Sequence, residues 1–414
     1  MSVQPATPES GDRPDLHRAV TAASARLTFD PLTPGLARAW DRLAVAAGAP
    51  PFLRPGWVEL WARCFADGRE LCVAALRTDG RLDAVLPLLR GRATGGAAAS
   101  PTNADIPGFD AVVASPSAAE ALARGLLSHP DGPNRYDLRF MASDGALAEA
   151  IRISAAERGD VRAVSALQRR MPRVDVSAGW PEVSQAWSPS RRKTLRRRER
   201  RLGERGRMDV EWHLGGGDPV AERCEEGLRL EASGWKGRQG TATLARPRAE
   251  RYYRGLLDWA DRSGLLGVAY LRLDGRPLAA QLMLCQPPAL YLIKSAYDEA
   301  FGEFGPGVLL LHRVLRSAAE NPEIDVVEML GEAEGYKLDF ADGMTDQVHL
   351  QLFRGPLAVH VARPVLVGAG VARSRIRAGL RQVLPPGARR ELYRRRAELR
   401  RLPATWQGRE RSRG

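Results

Sequence analysis

The chain repeats one of its own segments. Residues 73–89, VAALRTDGRLDAVLPLL, align with residues 268–284, VAYLRLDGRPLAAQLML, at a shift of 195, with identical Val, Ala, Leu, Arg, Asp, Gly, Arg, Ala and final Leu. Each copy is an apolar run, an Asp-Gly pair and a second apolar run, the pattern of a β-hairpin. A Trp-bearing amphipathic stretch precedes each copy, near 54–66 and 247–263, and a related strand follows each, YDLRFM from 136 and IDVVEM from 324. The shift between those strands is 188, as a loop deletion would leave it. Such self-similarity predicts two tandem α/β domains of one design, and 414 residues suit two cores better than one.

The second copy reads as helix 247–263, hairpin 265–286, strand 289–297, helix 306–320 and strand 324–330, with a last strand at 346–353. Such an order gives a mixed, mostly antiparallel sheet flanked by helices, an α/β (α+β) fold. The expected organisation is a disordered leader 1–25, a first domain 26–172, a second domain 173–357 and an Arg-rich tail 358–414. The leader is polar and Pro-rich without a hydrophobic signal core, which predicts a cytoplasmic protein. No apolar run approaches the ~20 residues that span a bilayer. Cys64, Cys72, Cys224 and Cys285 show no metal spacing, so neither metal nor disulfide is expected.

The net charge of +13 is concentrated. Residues 190–207 hold ten Lys and Arg against Glu199 and Glu204, a net +8; residues 372–414 hold fourteen Arg against Glu391, Glu398 and Glu410, a net +11. The rest of the chain is therefore mildly acidic. With Ser188 or Ser190 as N-cap and Leu195 and Leu202 one heptad apart, the first segment is expected to form a helix with one narrow apolar seam. Lacking acidic partners nearby in sequence, both segments are assigned to anion contact: CoA phosphates, RNA or an anionic membrane face.

Only four of the 62 basic residues are lysine: Lys193, Lys236, Lys294 and Lys337. In a chain whose default cation is arginine, a lysine is informative, because a compact ammonium is not replaced by a planar guanidinium. Lys236, Lys294 and Lys337 sit in SGWKG, IKSAYD and EGYKLDF. The segment YLIKSAYDEAFGEFGPGVLLLHRVL, residues 291–315, places a strand before Gly305, Pro306 and Gly307 and a helix after them. Glycines admit close approach of a ligand and a helix N-terminus favours phosphate, although Gly-Pro-Gly is also an ordinary strand-to-helix turn. His312 on that helix reads as a packing residue.

That order resembles the GNAT acyltransferase fold, in which the pyrophosphate of acyl-CoA sits on the loop and helix start and the pantetheine pairs with the preceding strand. Gly305 and Gly307 match the family's loop, while Gly302 stands where Gln or Arg is expected. The stretches PFLRPGWVELWARCF, TNADIPGFD, LEASGWKGRQGTA, IKSAYDEAFGEFGPGVLL and LGEAEGYKLDFAD are similar to the tandem-GNAT acyltransferases called CelD-like, of cellulose and exopolysaccharide biosynthesis, distant relatives of the Fem peptidoglycan transferases. The Fem lysine of Lys-x-x-Phe corresponds to Lys337, with Phe340 completing the motif.

The resemblance implies an acyltransferase moving an acyl group from acyl-CoA, acetyl-CoA first, to an amine (alternatively a hydroxyl) of a small-molecule, sugar or envelope precursor. Candidate donor-binding residues are Lys294, Ser295, Tyr297, Gly305, Gly307 and Val308. Lys337 is the candidate reaction-centre cation, with Lys294 beside it; Glu332, Asp298 and Glu231 are candidate bases, and Tyr336 or Tyr297 a proton source for the thiolate. Asn103, Asp110, Trp235 and Lys236 are candidates for the acceptor. The first copy has TNADIPGFD where the second has its glycine loop, so it is expected to be degenerate for CoA. An aminoacyl-tRNA-dependent Fem-type transferase, its Arg-rich helix gripping tRNA, and a non-catalytic basic adaptor for membrane or nucleic acid are the alternatives.

Overall fold

Both copies of the repeat fold as hairpins closed by the same turn. Asp79 and Gly80 have φ of 50° and 83°, and Asp274 and Gly275 have 48° and 82°, the paired left-handed conformations of a type I′ turn. The computed structural model describes residues 25–355 apart from 92–95, 104–105, 216–219 and 334. The leader and the Arg-rich tail, with the assignments made for them, lie outside the described residues.

In the first half the elements are β1 (Ala25–Pro31), α1 (Pro34–Ala46), α2 (Pro55–Phe65), β2 (Glu70–Thr78), β3 (Arg81–Arg90), β4 (Ala98–Ala99), β5 (Val112–Val113), α3 (Pro116–Ser128), β6 (Arg135–Ala142), α4 (Ala146–Ala156) and β7 (Val161–Asp175). The second half continues with α5 (Trp180–Ala186), α6 (Pro189–Gly203), β8 (Met208–Leu214), α7 (Val220–Ser233), α8 (Trp235–Arg238), α9 (Pro247–Arg262), β9 (Leu266–Leu273) and β10 (Arg276–Gln286). It ends with β11 (Ala289–Tyr297), α10 (Pro306–Ala319), β12 (Val326–Glu328), α11 (Gly335–Leu338) and β13 (Gly343–Arg354).

The described strands all join one sheet in the order β1-β2-β3-β4-β6-β13-β7-β12-β11-β10-β9-β8, with β5 on β3. Most pairs are antiparallel; β4 with β6 and β11 with β12, the equivalent positions of the two halves, are short and parallel. The centre of the sheet is an exchange. Strand β13, from the end of the second half, lies between β6 and β7, while β7, from the end of the first half, pairs with β12. The boundary expected between 172 and 173 thus falls inside β7.

The apolar core follows the same exchange. Leu350 and Leu352 of β13 pack among Leu86, Leu122 and Tyr136, and Val174 of β7 packs among Leu290, Leu311 and Phe340. A third cluster joins α2 to α9 through Trp57, Trp61, Tyr252 and Leu256. These helices meet closely: Trp57 and Trp259 stack edge-on at 6.0 Å, and a Cβ on Gly56 would stand 2.1 Å from the Trp259 indole nitrogen.

The basic segment folds as α6, with Ser188 capping the Arg191 N–H at 3.2 Å and Leu195 and Leu202 buried. Its charges do have acidic partners, far along the chain: Arg191 pairs with Asp339 at 2.5 Å, Arg201 with Glu303 at 2.5 Å, and Glu199 with Arg313. The assignment of this helix to anion contact alone is corrected: part of its charge holds it on the body. Among the described residues no helix is long and apolar enough to cross a membrane, no group of three or more His, Cys, Asp or Glu is placed to hold a metal, and the four cysteines are free thiols.

Candidate active site

A cavity opens where β11 and β12 splay apart. Among the described residues these strands pair from Ala289–Tyr291 to Val326–Glu328, and β11 then runs on to Tyr297 with β10 as its one strand neighbour. The chain leaving β12 turns away through Leu330 and Gly331, both left-handed at φ 45° and 70°. One edge of β11 is thereby left without a neighbouring strand among the described residues, a ready acceptor for an extended ligand. The cavity formed there measures about 760 Å³ and runs from the start of α10, past β11 and α8, to Ile106, Pro107 and Arg169 of the first half.

Most of the candidates converge on it. Lys294, Ser295, Tyr297, Gly305, Gly307, Val308, Trp235, Lys236, Tyr336 and Lys337 all line the cavity. Four candidates lie outside its lining. Asp298 caps the turn after β11, accepting the Ala300 N–H at 3.0 Å, and pairs with Arg276. Glu332 is exposed, and its backbone carbonyl rather than its carboxylate meets Lys337, at 3.4 Å. Asn103 and Asp110 flank the loop whose Ile106 and Pro107 reach the cavity. Burial pushes the Asp110 carboxyl up to about 7 against the hydrogen bond from the Ala111 N–H, with Asp144 adding to the rise.

Two of the lysines share one carboxylate. Glu231 of α7, its side chain 2% exposed, accepts from Lys294 Nζ at 3.1 Å and Lys236 Nζ at 3.3 Å, while its other oxygen accepts the Thr243 N–H at 3.0 Å. Burial alone would raise its pKa, but Lys294, the Thr243 contacts and Lys236 outweigh it and hold the carboxyl down at about 2. A carboxylate so acidic is a poor proton acceptor at neutral pH. Its role is to fix both ammonium groups against β11, where Lys294 also lies 4.3 Å from the Tyr253 ring centre.

Lys337 is set by its motif. Phe340 is buried, stacked edge-on against Trp187 at 5.0 Å, and anchors the short α11, from which Lys337 Nζ donates to the Leu330 carbonyl at 2.6 Å. His312 stands between Trp180 and Trp187, at 5.3 Å and 5.7 Å. Burial depresses its pKa to about 4, with Arg313 acting in the same direction, so it is a neutral packing group at physiological pH.

Three lining residues were missed by the sequence reading. Arg198 of α6 brings Nη1 to 2.8 Å from where a Cβ on Gly305 would stand, so its guanidinium covers the glycine loop. The buried Gln281 donates to the Lys294 carbonyl at 3.0 Å and steadies β11. Arg169 of β7 is 5% exposed. No composition signal marks the two arginines, since arginine is everywhere in the chain.

Residues 189–338 match the family model of the acetyltransferase (GNAT) domain, and no curated protein matches the chain. Among solved structures, FemX is similar with a TM-score of 0.53 at 12% identity, over 81% of this chain and 99% of that one. The L-PGS of Bacillus licheniformis is similar with a TM-score of 0.44 at 13% identity, over 78% and 96%. A tandem GNAT protein from the clavulanic acid biosynthesis pathway is similar with a TM-score of 0.40 at 14% identity, over 80% and 99%. Residues 189–338 thus carry a GNAT-type acetyltransferase domain, set within the mixed sheet.

Proposed function

We propose that the cavity binds an acyl-CoA and passes its acyl group to an amine held between the two halves. The observation that carries the reading is the unpaired edge of β11 running into the start of α10, with Arg198 over Gly305. Pantetheine amides pair with the strand edge, and the pyrophosphate meets the helix N-terminus and a guanidinium supplied by α6 in place of the cation absent at Gly302. The amine nitrogen attacks the thioester carbonyl, the C–S bond breaks and the thiolate takes a proton, for which Tyr336 or Tyr297 is the assigned donor. Lys337 is assigned to the developing oxyanion. The carboxylates in the lining, Glu231 and Glu299, are both held below the ordinary carboxylate range, so the amine sheds its proton to water in the open cavity. The CelD-like resemblance supports a sugar, polysaccharide or envelope precursor as acceptor.

A second reading takes aminoacyl-tRNA as the donor, supported by the fold likeness to FemX and by Lys193, Arg196, Arg197 and Arg200, which are exposed on α6. Calorimetry separates the two. Acetyl-CoA should bind the native chain, and Arg198→Ala should weaken it about 10-fold, the worth of one charge-assisted hydrogen bond. Tight binding of charged tRNA with no heat from any CoA species would select the second reading.

A further inference from the structure

Arg169 is a buried guanidinium that makes no ion pair among the described residues. Its Nε donates to Gln347 Oε1 at 2.9 Å, and its Nη2 donates to the carbonyls of Ile106 and Pro107 at 2.8 Å and 2.7 Å. Gln347 is itself fixed, donating to the Pro107 carbonyl at 2.7 Å, and the guanidinium lies 4.5 Å from the Phe140 ring centre. Three of five donors are thus spent on holding the fork still. The N–H groups of Nη1 have no partner among the described residues, and the residue lines the cavity. Burial lowers its pKa only to about 10, with Glu332 opposing, so it stays charged at neutral pH. Glu332 is exposed and makes no ion pair with it among the described residues.

A buried charge kept rigid and without an ion pair among the described residues is costly unless a ligand completes it. The donor's phosphates already have their cation in Arg198 beside Gly305, whereas Arg169 comes from β7 of the first half, among the loop residues 106 and 107. Resting on the acyl-transfer reading, we propose that Arg169 receives an anionic group of the acceptor, a carboxylate or a phosphate, so that the amine which takes the acyl group belongs to an acidic molecule. The planar fork suits either anion bidentately.

The test is the thermal unfolding of the full chain saturated with CoA, so that the donor's anion site is occupied, with inorganic phosphate or acetate added at fixed ionic strength. At least one anion should raise the Tm of the native chain and leave that of Arg169→Gln unmoved, while Arg169→Gln still binds CoA by calorimetry. A shift with phosphate alone identifies a phosphate-bearing acceptor, and one with acetate alone a carboxylate. No shift with either anion, or an equal shift in Arg169→Gln, overturns the proposal. Failure of CoA to bind the native chain overturns the acyl-CoA reading instead, and the same anion comparison on the unliganded chain then decides the role of Arg169. Where Arg169→Gln does not fold, Gln347→Leu, which frees the Nε, should weaken the same anion effect, and an undiminished effect counts against the proposal.

Discussion

Lysine was legible in this chain because it is rare, and arginine illegible because it is not. Lys236, Lys294 and Lys337 stood out and all three line one cavity; Arg169 and Arg198, with an equal claim on a ligand, are two among dozens. What the lysines do was only partly readable. Two of them clamp Glu231, a candidate base by residue type, and that contact converts it into a permanent anion. Glu231→Gln removes one partner of a largely buried cluster and leaves two ammonium groups facing each other, a loss of about 3 kcal/mol at neutral pH. The native carboxyl has its pKa depressed from the ordinary 4.5 to about 2, so its stabilisation is full above 4.5 and fades as pH falls toward 2. Denaturant unfolding across that range should therefore show the deficit of Glu231→Gln shrinking with acidity; a deficit independent of pH would show that packing, not charge, is lost.

At the scale of elements, local chemistry predicted well and contact partners poorly. The two hairpins, the strand at 289–297, the helix after Gly305 and the capped basic helix were all written in turn residues, caps and periodicity. The partners of α6, such as Glu303 and Asp339, are distant in sequence, and nothing local marks them. The same holds for α2 against α9, where Gly56 permits an approach that a side chain would block. Gly56→Ala drives a methyl group into the half-buried Trp259 ring, which is held edge-on against Trp57 with the Arg54 guanidinium over it, and should cost about 2 kcal/mol. Gly255→Ala, across the same contact, meets the end of the Leu60 side chain at 2.7 Å and should cost less, because a leucine rotates away more easily than a packed indole. Thermal unfolding of the two variants ranks them; a larger loss at Gly255 would disprove this account of the helix contact.

For the whole molecule, duplication announced two units and concealed how they are joined. An internal repeat specifies what each half resembles, but strand exchange is a choice between equivalent edges: β13 can sit beside β6 or beside β12 with the same kind of pairing, and the sequence pattern of an antiparallel strand does not name its neighbour. In the structure β13 spans β6 and β7 along most of its length, so each half leaves the other a central strand short. A fragment of residues 26–172 would expose β6 without β13, and one of 173–357 would keep only the Arg173–Asp175 end of β7 on β12 and leave β13 without β6 and most of β7, each with a bare, apolar-flanked edge prone to self-association. Each fragment alone should therefore aggregate or lack a cooperative transition, while the two coexpressed should recover a soluble complex with the unfolding profile of 26–357. Calorimetry and sedimentation read the outcome: a monomeric, cooperatively folding 173–357 that binds CoA as tightly as the full chain would mean that the exchange joins two self-sufficient domains and contributes nothing to completing the donor half.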